Sequence, residues 1–395
     1  MELEKLKAKI REVIDVKRQE LIDLSLRIHA NPEVGWKEEK ASRWLADYLE
    51  KNGFEVERGI CDLPTAFRAS YGEGKPVIAF LCEYDALPDI GHGCGHNIIG
   101  AAGVGAGIAA KSFVDQFGAT ILVMGCPAEE LLGGKVIMVE KGAFDDVDVA
   151  LIMHPSVEDK NWLGARTAAN IFLDVEFWGK EAHAAADPWN GTSALEALIL
   201  AFNNINGLRL HVKDRGRISG IITDGGKAAN VIPGHAAGIF MVRSPEDKYL
   251  GELREKVLKC FEGAALATGV RLEYRWGMKC YAMQDNSTLL QLWKKNLETL
   301  GRKVDEVWEN SGSLDVGNVS VFVPSIQTYL SISSEPVTFH SNELAAAAIS
   351  DAGKQAVVDG AKALAMTALD VMARPEALSL AKEELAETRK QKGIL

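Results

Sequence analysis

The sequence lacks the features of a nucleic-acid-binding, secreted or membrane protein. No run of Lys and Arg is longer than two residues, and the net charge is −11, whereas phosphate-backbone binding relies on clustered cations. Residues 1–18 mix both charges without the apolar block of a secretory signal, and no window predicts a membrane span. We therefore expect a cytoplasmic protein without nucleic-acid or membrane partners.

The sequence also lacks a paired cysteine framework. Its six cysteines are scattered, and several lie in apolar runs, where a cysteine behaves as a small hydrophobe. A disulfide-based fold is therefore not expected. Cys94 is the exception, because it lies in the glycine-rich segment 91–97, GHGCGHN.

What is present is an ordinary globular composition, with 47% hydrophobic and 25% charged residues in a chain of 395. This length is sufficient for two cores. Helical spacing of apolar residues predicts two opening helices, and three later runs rich in β-branched residues predict buried parallel strands. The predicted ranges are 3–29 and 38–52 for the helices and 76–82, 119–126 and 147–153 for the strands.

The pattern changes between residues 170 and 283, where the predicted order is strand, helix, strand, strand, helix, strand. This βαββαβ order predicts a ferredoxin-like module inserted into the first domain. We therefore expect an α/β protein of two domains. Residues 1–169 and 284–395 form the first, discontinuous domain, and residues 170–283 form the insert.

Side chains that can bind metal follow each of the three predicted strands. Glu83 and Asp85 follow the first, Glu129 and Glu130 the second, and His154 comes directly after the third. Because the ligand site of an open α/β sheet lies beyond the carboxyl ends of its strands, these residues should meet in one crevice.

The GHGCGHN segment supplies two further candidates, Cys94 and His96, in a glycine-dense turn that lets thiolate and imidazole face one centre. Together with the Glu129–Glu130 pair, His154 and His340, they offer sulfur, nitrogen and oxygen donors suited to zinc or a similar metal, and enough for two ions. The adjacent Glu pair also suits a division in which one carboxylate binds metal and the other moves a proton. Alone, either His154 or His340 is as often a buried structural residue as a ligand, so the prediction depends on convergence.

Two other interpretations compete with a metal-dependent hydrolase. Residues 105–110, GAGIAA, fit a relaxed dinucleotide-binding fingerprint, but they lie inside a predicted helix at 98–112 instead of following a strand. A catalytically silent binding protein of the same fold is the other alternative, and the presence of Glu129 beside a full ligand set argues against it. His183, Asn230 and Arg243 are weak signals by pattern alone.

Several motifs occur in an order that resembles one known family. They are HANPE at 29–33, EYDALP at 83–88, GCGHN at 93–97, PAEE at 127–130, NVIP at 230–233 and SLDVGNVS at 313–320, with His183 and His340. This order resembles the aminoacylase and carboxypeptidase G family of metallopeptidases, in its amidohydrolase branch with a cysteine metal ligand. The resemblance covers almost the whole chain.

The resemblance implies a zinc-exopeptidase-like catalytic domain with an inserted lid and dimerisation domain, and hydrolysis of an amide bond by water that two metal ions activate. It implies that the metal ligands are Cys94, His96, Glu130, His154 and His340. Glu129 is then the general base, and Asp85 orients a ligand. The implied ions are divalent transition metals, zinc first, with manganese or cobalt as alternatives.

The resemblance also implies a homodimer, or a higher oligomer, in which His183 reaches the partner's active site while Asn230 and Arg243 hold substrate. The short segment before Cys94, and Asn97 in place of Asp, make the chain most similar to p-aminobenzoyl-glutamate hydrolases and β-alanyl-lysine type dipeptidases. Leu314 departs from the Thr of close relatives. The expected substrate is a dipeptide, an N-acyl amino acid or an aminobenzoyl-glutamate-like conjugate, with a non-peptide amide or aryl amine as the alternative.

Overall fold

The computed structural model describes residues 2–131, 133–309 and 312–393. Its α-helices are α1 Glu2–His29, α2 Glu39–Lys51, α3 His96–Ala110, α4 Val114–Phe117, α5 Gly134–Glu140, α6 Ala194–Arg209, α7 Asp247–Thr268, α8 Ser287–Glu298, α9 Val316–Ser320, α10 Asn342–Ala347, α11 Asp351–Ala373 and α12 Pro375–Lys392. Its strands are β1 Glu55–Arg58, β2 Phe67–Tyr71, β3 Val77–Cys82, β4 Thr120–Gly125, β5 Val149–Ser156, β6 Ala165–Arg166, β7 Ala169–Trp178, β8 Ala182–His183, β9 Arg217–Asp224, β10 Val231–Ile232, β11 His235–Ser244, β12 Arg271–Cys280, β13 Trp308–Glu309 and β14 Ser325–Ser331.

The larger sheet has six strands in the order β1-β2-β4-β3-β5-β14. Strands β4, β3, β5 and β14 are parallel, as the apolar runs predicted for the first three of them, and β2 joins β4 antiparallel. Every residue of these four parallel strands is buried, which is the burial expected when helices cover both faces of a parallel sheet. The carboxyl ends of β3, β4 and β5 therefore lie side by side.

Helix α3 is buried along its whole length and packs against the sheet, α1 and α11. A Cβ on Gly107 would lie 2.3 Å from a methyl carbon of Val123 in β4, so glycine is required for this close approach. The segment that fits a dinucleotide fingerprint thus lies inside a core helix. Of its two glycines, Gly107 allows close packing on the sheet, and Gly105 allows close packing against Leu21 of α1 and Ala361 of α11.

The expectation that no window of the sequence is apolar enough to span a membrane was wrong. The helical stretch His96–Phe117 is long and apolar enough, by length and composition alone, to cross a bilayer. In the structure, however, 89% of its most apolar window is buried inside the protein. Its apolar character is therefore explained by packing against other helices and the sheet.

The smaller sheet has four antiparallel strands in the order β12-β7-β11-β9, with α6 and α7 packed on one face. Along the chain these elements follow the βαββαβ order predicted from the sequence. Their apolar side chains form a core of their own that runs from Ala169 to Ala282 and is separate from that of the larger sheet. The mixed α/β fold is confirmed, and we propose that residues 170–283 form the inserted domain.

Candidate active site

The larger sheet brings metal-competent side chains to the ends of its three central strands. Glu83 and Asp85 follow β3, and Glu129 and Glu130 follow β4. His154 differs slightly from its predicted place, because β5 continues to Ser156 and the histidine belongs to the strand. The convergence expected at this edge of the sheet is present in the structure.

Two loops meet beside the sheet and position Cys94 and His340. The backbone N–H of His340 donates a hydrogen bond of 3.0 Å to the carbonyl oxygen of Gly93. A Cβ on Gly93 would lie 3.1 Å from the carbonyl oxygen of Ser341 and 2.6 Å from Ile90, so a larger residue would push the loops apart. The glycine before Cys94 therefore allows the contact that holds the thiol near His340.

His96 is the first residue of α3, and Asp85 fixes its ring. The Nδ1 atom lies 2.9 Å from the Asp85 carboxylate and 3.0 Å from the Asp85 carbonyl oxygen. Both neighbours are acceptors, so Nδ1 carries a proton and donates it. The Nε2 atom then faces the carboxylates of Glu83, Glu129 and Glu130 at 3.7–3.8 Å. Asp85 thus orients the Nε2 lone pair of His96 toward these carboxylates.

The site contains three overlapping groups of possible ligand atoms, and the atoms of each group all lie within 4.8 Å of one another. These groups are Cys94 with His96 and His154, Cys94 with Glu130 and His340, and His96 with Glu129 and Glu130. The first two share Cys94, whose Sγ atom lies 3.4 Å from His154 Nε2, and in the second Glu130 lies 3.2 Å from His340 Nε2. Two adjacent donor groups of this kind could together hold a pair of divalent cations.

The residues present fit such a pair of ions. Three buried polar atoms have no hydrogen-bond partner among the described residues: His96 Nε2, Glu83 Oε2 and Glu130 Oε1. No hydrogen bond from these residues therefore offsets the cost of burying them. Burial lowers the pKa of His154 to about 4, which leaves a neutral imidazole able to donate a lone pair. Burial also raises the pKa of the Cys94 thiol, so a nearby cation is needed to hold the thiolate.

Behind the donor groups lies a buried network around Lys135, which we call the lysine network: Lys135, Glu83 and Asp315. The Lys135 Nζ atom contacts the Glu83 carboxylate at 2.7 Å and the Asp315 carboxylate at 2.5 Å. Its backbone N–H donates a second hydrogen bond to Asp315 at 2.9 Å. The lysine side chain is 0% exposed, so its charge is compensated entirely within the protein.

Glu129 belongs to one of the donor groups and also borders the lysine network, since its carboxylate is within 4.8 Å of those of Glu83 and Asp315. Burial, with the charges of Glu83 and Asp315, raises the pKa of Glu129 well above its usual value. A carboxyl group in such surroundings accepts a proton far more readily than an exposed glutamate. This environment suits a residue that takes and returns a proton.

We expect Asp85→Asn to weaken metal binding about 10- to 100-fold, as loss of an orienting hydrogen-bond partner commonly does. The asparagine amide leaves His96 Nδ1 with a weaker acceptor and permits the wrong tautomer. Competition with a fluorescent chelator measures the affinity. Asp89→Asn serves as the control, since Asp89 lies in the same loop but contributes to none of the donor groups. Unchanged affinity in Asp85→Asn would contradict the orienting role.

A cavity of about 600 Å³ opens directly over the donor groups. Cys94, Glu129, Glu130, His154 and His340 form its floor. Its volume is in the range of small-molecule sites. The remaining walls are contributed by both sheets and several loops, and they include Val157, Glu158, Arg243, Trp308, Gly312, Ser313, Leu314, Tyr329, Val337, Thr338 and Phe339.

Arg243, at the end of β11, reaches this cavity from the smaller sheet. Its Nε atom contacts the sulfur of Met241 at 2.8 Å, and no carboxylate of the described residues lies within ion-pair distance of its guanidinium. Partial burial lowers the pKa of Arg243 without changing its charge near neutral pH. Arg243 is therefore free to bind an anionic group of a ligand.

His183 and Asn230 do not line the cavity. Both are exposed, and they lie together where β8 pairs with β10, with the Ala184 N–H donating to the Asn230 carbonyl oxygen at 3.0 Å. The His183 Nδ1 atom accepts hydrogen bonds from the backbone N–H groups of Ala185 and Ala186. A neutral His183 therefore carries its proton on Nε2, which can donate a hydrogen bond.

Sequence reasoning missed the lysine network. The sequence marks Glu83 only as a metal-competent side chain, and Asp315 only as part of a motif. Lys135 gives no signal, because a lysine near the start of a short helix is usually exposed. The cavity walls formed by Glu158, Trp308 and Phe339 were also missed, because Glu158 and Phe339 lie in loops and Trp308 in the two-residue strand β13, whose positions depend on tertiary packing.

Comparisons with known proteins agree with this geometry. Residues 79–373 match the model of peptidase family M20/M25/M40. The chain is 37% identical to the Xaa-Arg dipeptidase of Mus musculus over 97% of this chain and 93% of the relative. It is 39% identical to one of the subunits of p-aminobenzoyl-glutamate hydrolase from Escherichia coli (strain K12), over 71% of this chain and 62% of that relative. A dinuclear metal-binding peptidase of the M20 family from Bacillus subtilis shares the fold, with a TM-score of 0.71 and 19% identity over 91% of this chain and 99% of that one.

Proposed function

The chain belongs to peptidase family M20/M25/M40 and is a metal-dependent hydrolase of C–N bonds in small substrates, and from this basis we propose a mechanism with Glu129 as general base. The observation that carries the proposal is the placement of Glu129. Its carboxylate is buried beside the overlapping donor groups and also lines the cavity, where a substrate amide can reach it. Proton transfer by a residue so positioned typically contributes a factor of about 10²–10⁴ to the rate.

In the proposed mechanism, Glu129 takes a proton from the attacking water and returns it to the nitrogen of the departing amine. Arg243 binds a substrate carboxylate at the far side of the cavity and thereby holds the scissile amide over the donor groups. Asp85 keeps His96 in the tautomer that presents Nε2. When bound, two divalent cations supply Lewis acidity and lower the pKa of water enough to make it a nucleophile near neutral pH.

We propose zinc as the native metal, held by Cys94, His96, Glu130, His154 and His340. The set combines one thiolate with three imidazoles, and both ligand types favour zinc over calcium or magnesium. Manganese and cobalt are the alternatives. Elemental analysis of protein purified without added metal distinguishes them.

We also propose a homodimer formed through the inserted domain. Its support is β9, an edge strand of the smaller sheet, where Ile221 and Ile222 are 62% and 43% exposed. An exposed apolar edge strand is a template for pairing with another chain. In the dimer, the His183 Nε2–H group is a donor to the developing oxyanion in the partner's site, and Asn230 assists in holding substrate. Donors of this kind contribute about 2.7–4 kcal/mol.

A complementation experiment tests the action of His183 across the dimer. We expect His183→Ala and Glu129→Gln homodimers to be nearly inactive. Mixed dimers have one site with both an intact Glu129 and a partner's intact His183, so co-refolded mixtures should regain up to about one quarter of wild-type activity. Mixtures that stay as inactive as the separate variants would contradict action across the dimer.

We propose that the protein acts in the cytoplasm. Its proposed substrates are dipeptides, N-acyl amino acids and aminobenzoyl-glutamate-like conjugates. The test is a panel of these amides, with anilides as non-peptide representatives, against protein loaded separately with zinc, manganese and cobalt. Release of the free amino acid from at least one class is the expected result. A protein that binds metal but cleaves none of them contradicts the proposal.

A further inference from the structure

The segment that carries Glu129 and Glu130, residues 127–131, is strained and tightly enclosed, and we call it the glutamate turn. Ala128 has a φ angle of +54°, in the left-handed region that residues with a Cβ rarely adopt. A Cβ on Gly35 would lie 3.1 Å from that of Ala128 and 3.2 Å from its Cα, so the loop before α2 packs directly on this turn. Backbone strain of this kind persists only where the surrounding structure enforces it.

Two carboxylates hold the backbone of the glutamate turn, one on each side of Glu129 along the chain. The N–H of Ala128 donates a hydrogen bond of 2.7 Å to Glu38 Oε1. The N–H of Glu130 donates one of 2.9 Å to Asp85 Oδ2. Glu129 therefore lies between two anchored peptide groups, which fix the direction in which its side chain leaves the backbone.

Glu38 directly precedes α2, and its carboxylate is buried without a cation. The residue is 0% exposed, and its Oε2 atom accepts a hydrogen bond of 3.1 Å from the Thr65 hydroxyl. No Lys, Arg or His of the described residues pairs with it, and burial, together with the charge of Asp85, raises the pKa of Glu38 to about 7. Because burying a carboxylate without a cation costs free energy, stability alone does not favour a glutamate at this position.

We propose that Glu38 is a positioning residue of the active site, which holds the glutamate turn in its strained conformation through the Ala128 N–H. In this conformation Glu129 lines the cavity, and Glu130 lies 3.2 Å from His340 Nε2. Without an acceptor at residue 38, Ala128 is free to relax to an ordinary negative φ, which redirects the two glutamates that follow it. The inference depends on the proposed functions of these two glutamates.

The experiment compares Glu38→Met, which removes the acceptor, with Glu38→Gln, which keeps a carbonyl oxygen for the Ala128 N–H. The matched control is Glu33→Met. The Glu33 carboxylate also accepts hydrogen bonds from backbone N–H groups, those of Lys40 and Ala41, but it anchors the start of α2 and not the glutamate turn. For each protein loaded with Co²⁺, we would measure kcat, KM, the folded fraction and the visible absorption spectrum of the bound ion.

We expect Glu38→Met to lower kcat about 10²-fold with little change in KM, the effect of misplacing a reacting group by about 1 Å. Its cobalt spectrum should also differ from that of wild type, because displacement of Glu130 changes the coordination geometry. Glu38→Gln should keep the wild-type spectrum and most of the activity, and Glu33→Met should change neither.

The cobalt spectrum separates positioning from a general loss of stability, because a merely destabilised protein keeps the wild-type spectrum in its folded, metal-loaded molecules. A wild-type spectrum in Glu38→Met, with a loss of activity no larger than its loss of folded protein, would overturn the inference. The spectrum reports the position of Glu130, whereas Glu129→Gln reports the general base. The two proposals can therefore fail separately.

A second substitution tests the role of strain directly. Glycine adopts a left-handed φ without steric cost, so the glutamate turn should depend less on Glu38 when Ala128→Gly is present. We expect Glu38→Met to lower kcat only about 10-fold in the Ala128→Gly background, as coupling between neighbouring residues predicts. An equal loss with and without Ala128→Gly would contradict the inference.

Discussion

Replacing Glu129 by glutamine is expected to lower kcat by about 10²–10⁴ while leaving bound metal unchanged. Glutamine has nearly the same shape but cannot accept the proton that the attacking water must lose. The proposed metal ligands, including Glu130, remain in place, so metal content should not change. Steady-state kinetics and elemental analysis of the same preparation measure both quantities.

The control for this variant is Glu140→Gln, which removes an exposed carboxylate at the end of α5, outside the cavity. It should retain wild-type kcat. The base assignment would be contradicted if Glu129→Gln kept near wild-type turnover with the same metal content. A loss of metal in Glu129→Gln would instead indicate that Glu129 is a ligand, and this outcome also contradicts the assignment.

Replacing Lys135 by methionine is expected to reduce the free energy of unfolding by about 3–5 kcal/mol, the usual cost of leaving buried charges without their partner. Lys135 contacts Glu83 and Asp315 at 2.7 and 2.5 Å with no exposure to solvent. Methionine fills most of the volume but supplies no charge. Denaturant unfolding of the metal-free protein measures the change.

The loss of unfolding free energy in Lys135→Met should increase as the pH rises. Burial raises the pKa of Asp315 to about 6, although Lys135 opposes this shift, so removing the lysine raises it further. A carboxyl group whose folded pKa exceeds its unfolded pKa binds more protons when folded, and stability therefore falls as pH rises. Lys135→Met should be more strongly destabilised at pH 8 than at pH 5. A pH-independent loss would contradict this account of the lysine network.

A matched control is Lys141→Met, which breaks an exposed ion pair with Asp62. It should leave the unfolding midpoint unchanged, because solvent screens such pairs. A second control combines Lys135→Met with Asp315→Asn. Removing one of the two uncompensated carboxylates should recover part of the lost stability, since the residues form one coupled network.

The sequence predicted the central part of the fold well, for a physical reason. Strands β3, β4 and β5 are buried on both faces, so they appear as continuous apolar runs. Strand β1 is a short edge strand without a buried residue, and β2 beside it mixes buried with half-buried residues, so neither was predicted. The ends of β5 and α3 differ from prediction by two or three residues, as helix and strand boundaries commonly do.

The candidate site was predictable where residues that can bind metal lie at the ends of predicted strands. Metal-competent residues after β3 and β4, and within β5, could be brought together by parallel topology alone. The buried charges of Lys135 and Asp315 could not, because burial of a paired charge depends on the tertiary structure. For the same reason, Glu158, which follows β5, and Trp308, in β13, could be recognised as walls of one cavity only from the tertiary structure.

The most direct test of a two-metal hydrolase is to titrate the metal-free enzyme while recording bound metal per chain and amide hydrolysis together. The account predicts no activity in the metal-free protein and full activity only when two ions are bound per chain. In Cys94→Ala, which removes the shared sulfur, that stoichiometry should be lost along with activity. Hydrolysis that persists at the wild-type rate after complete removal of metal would contradict the account.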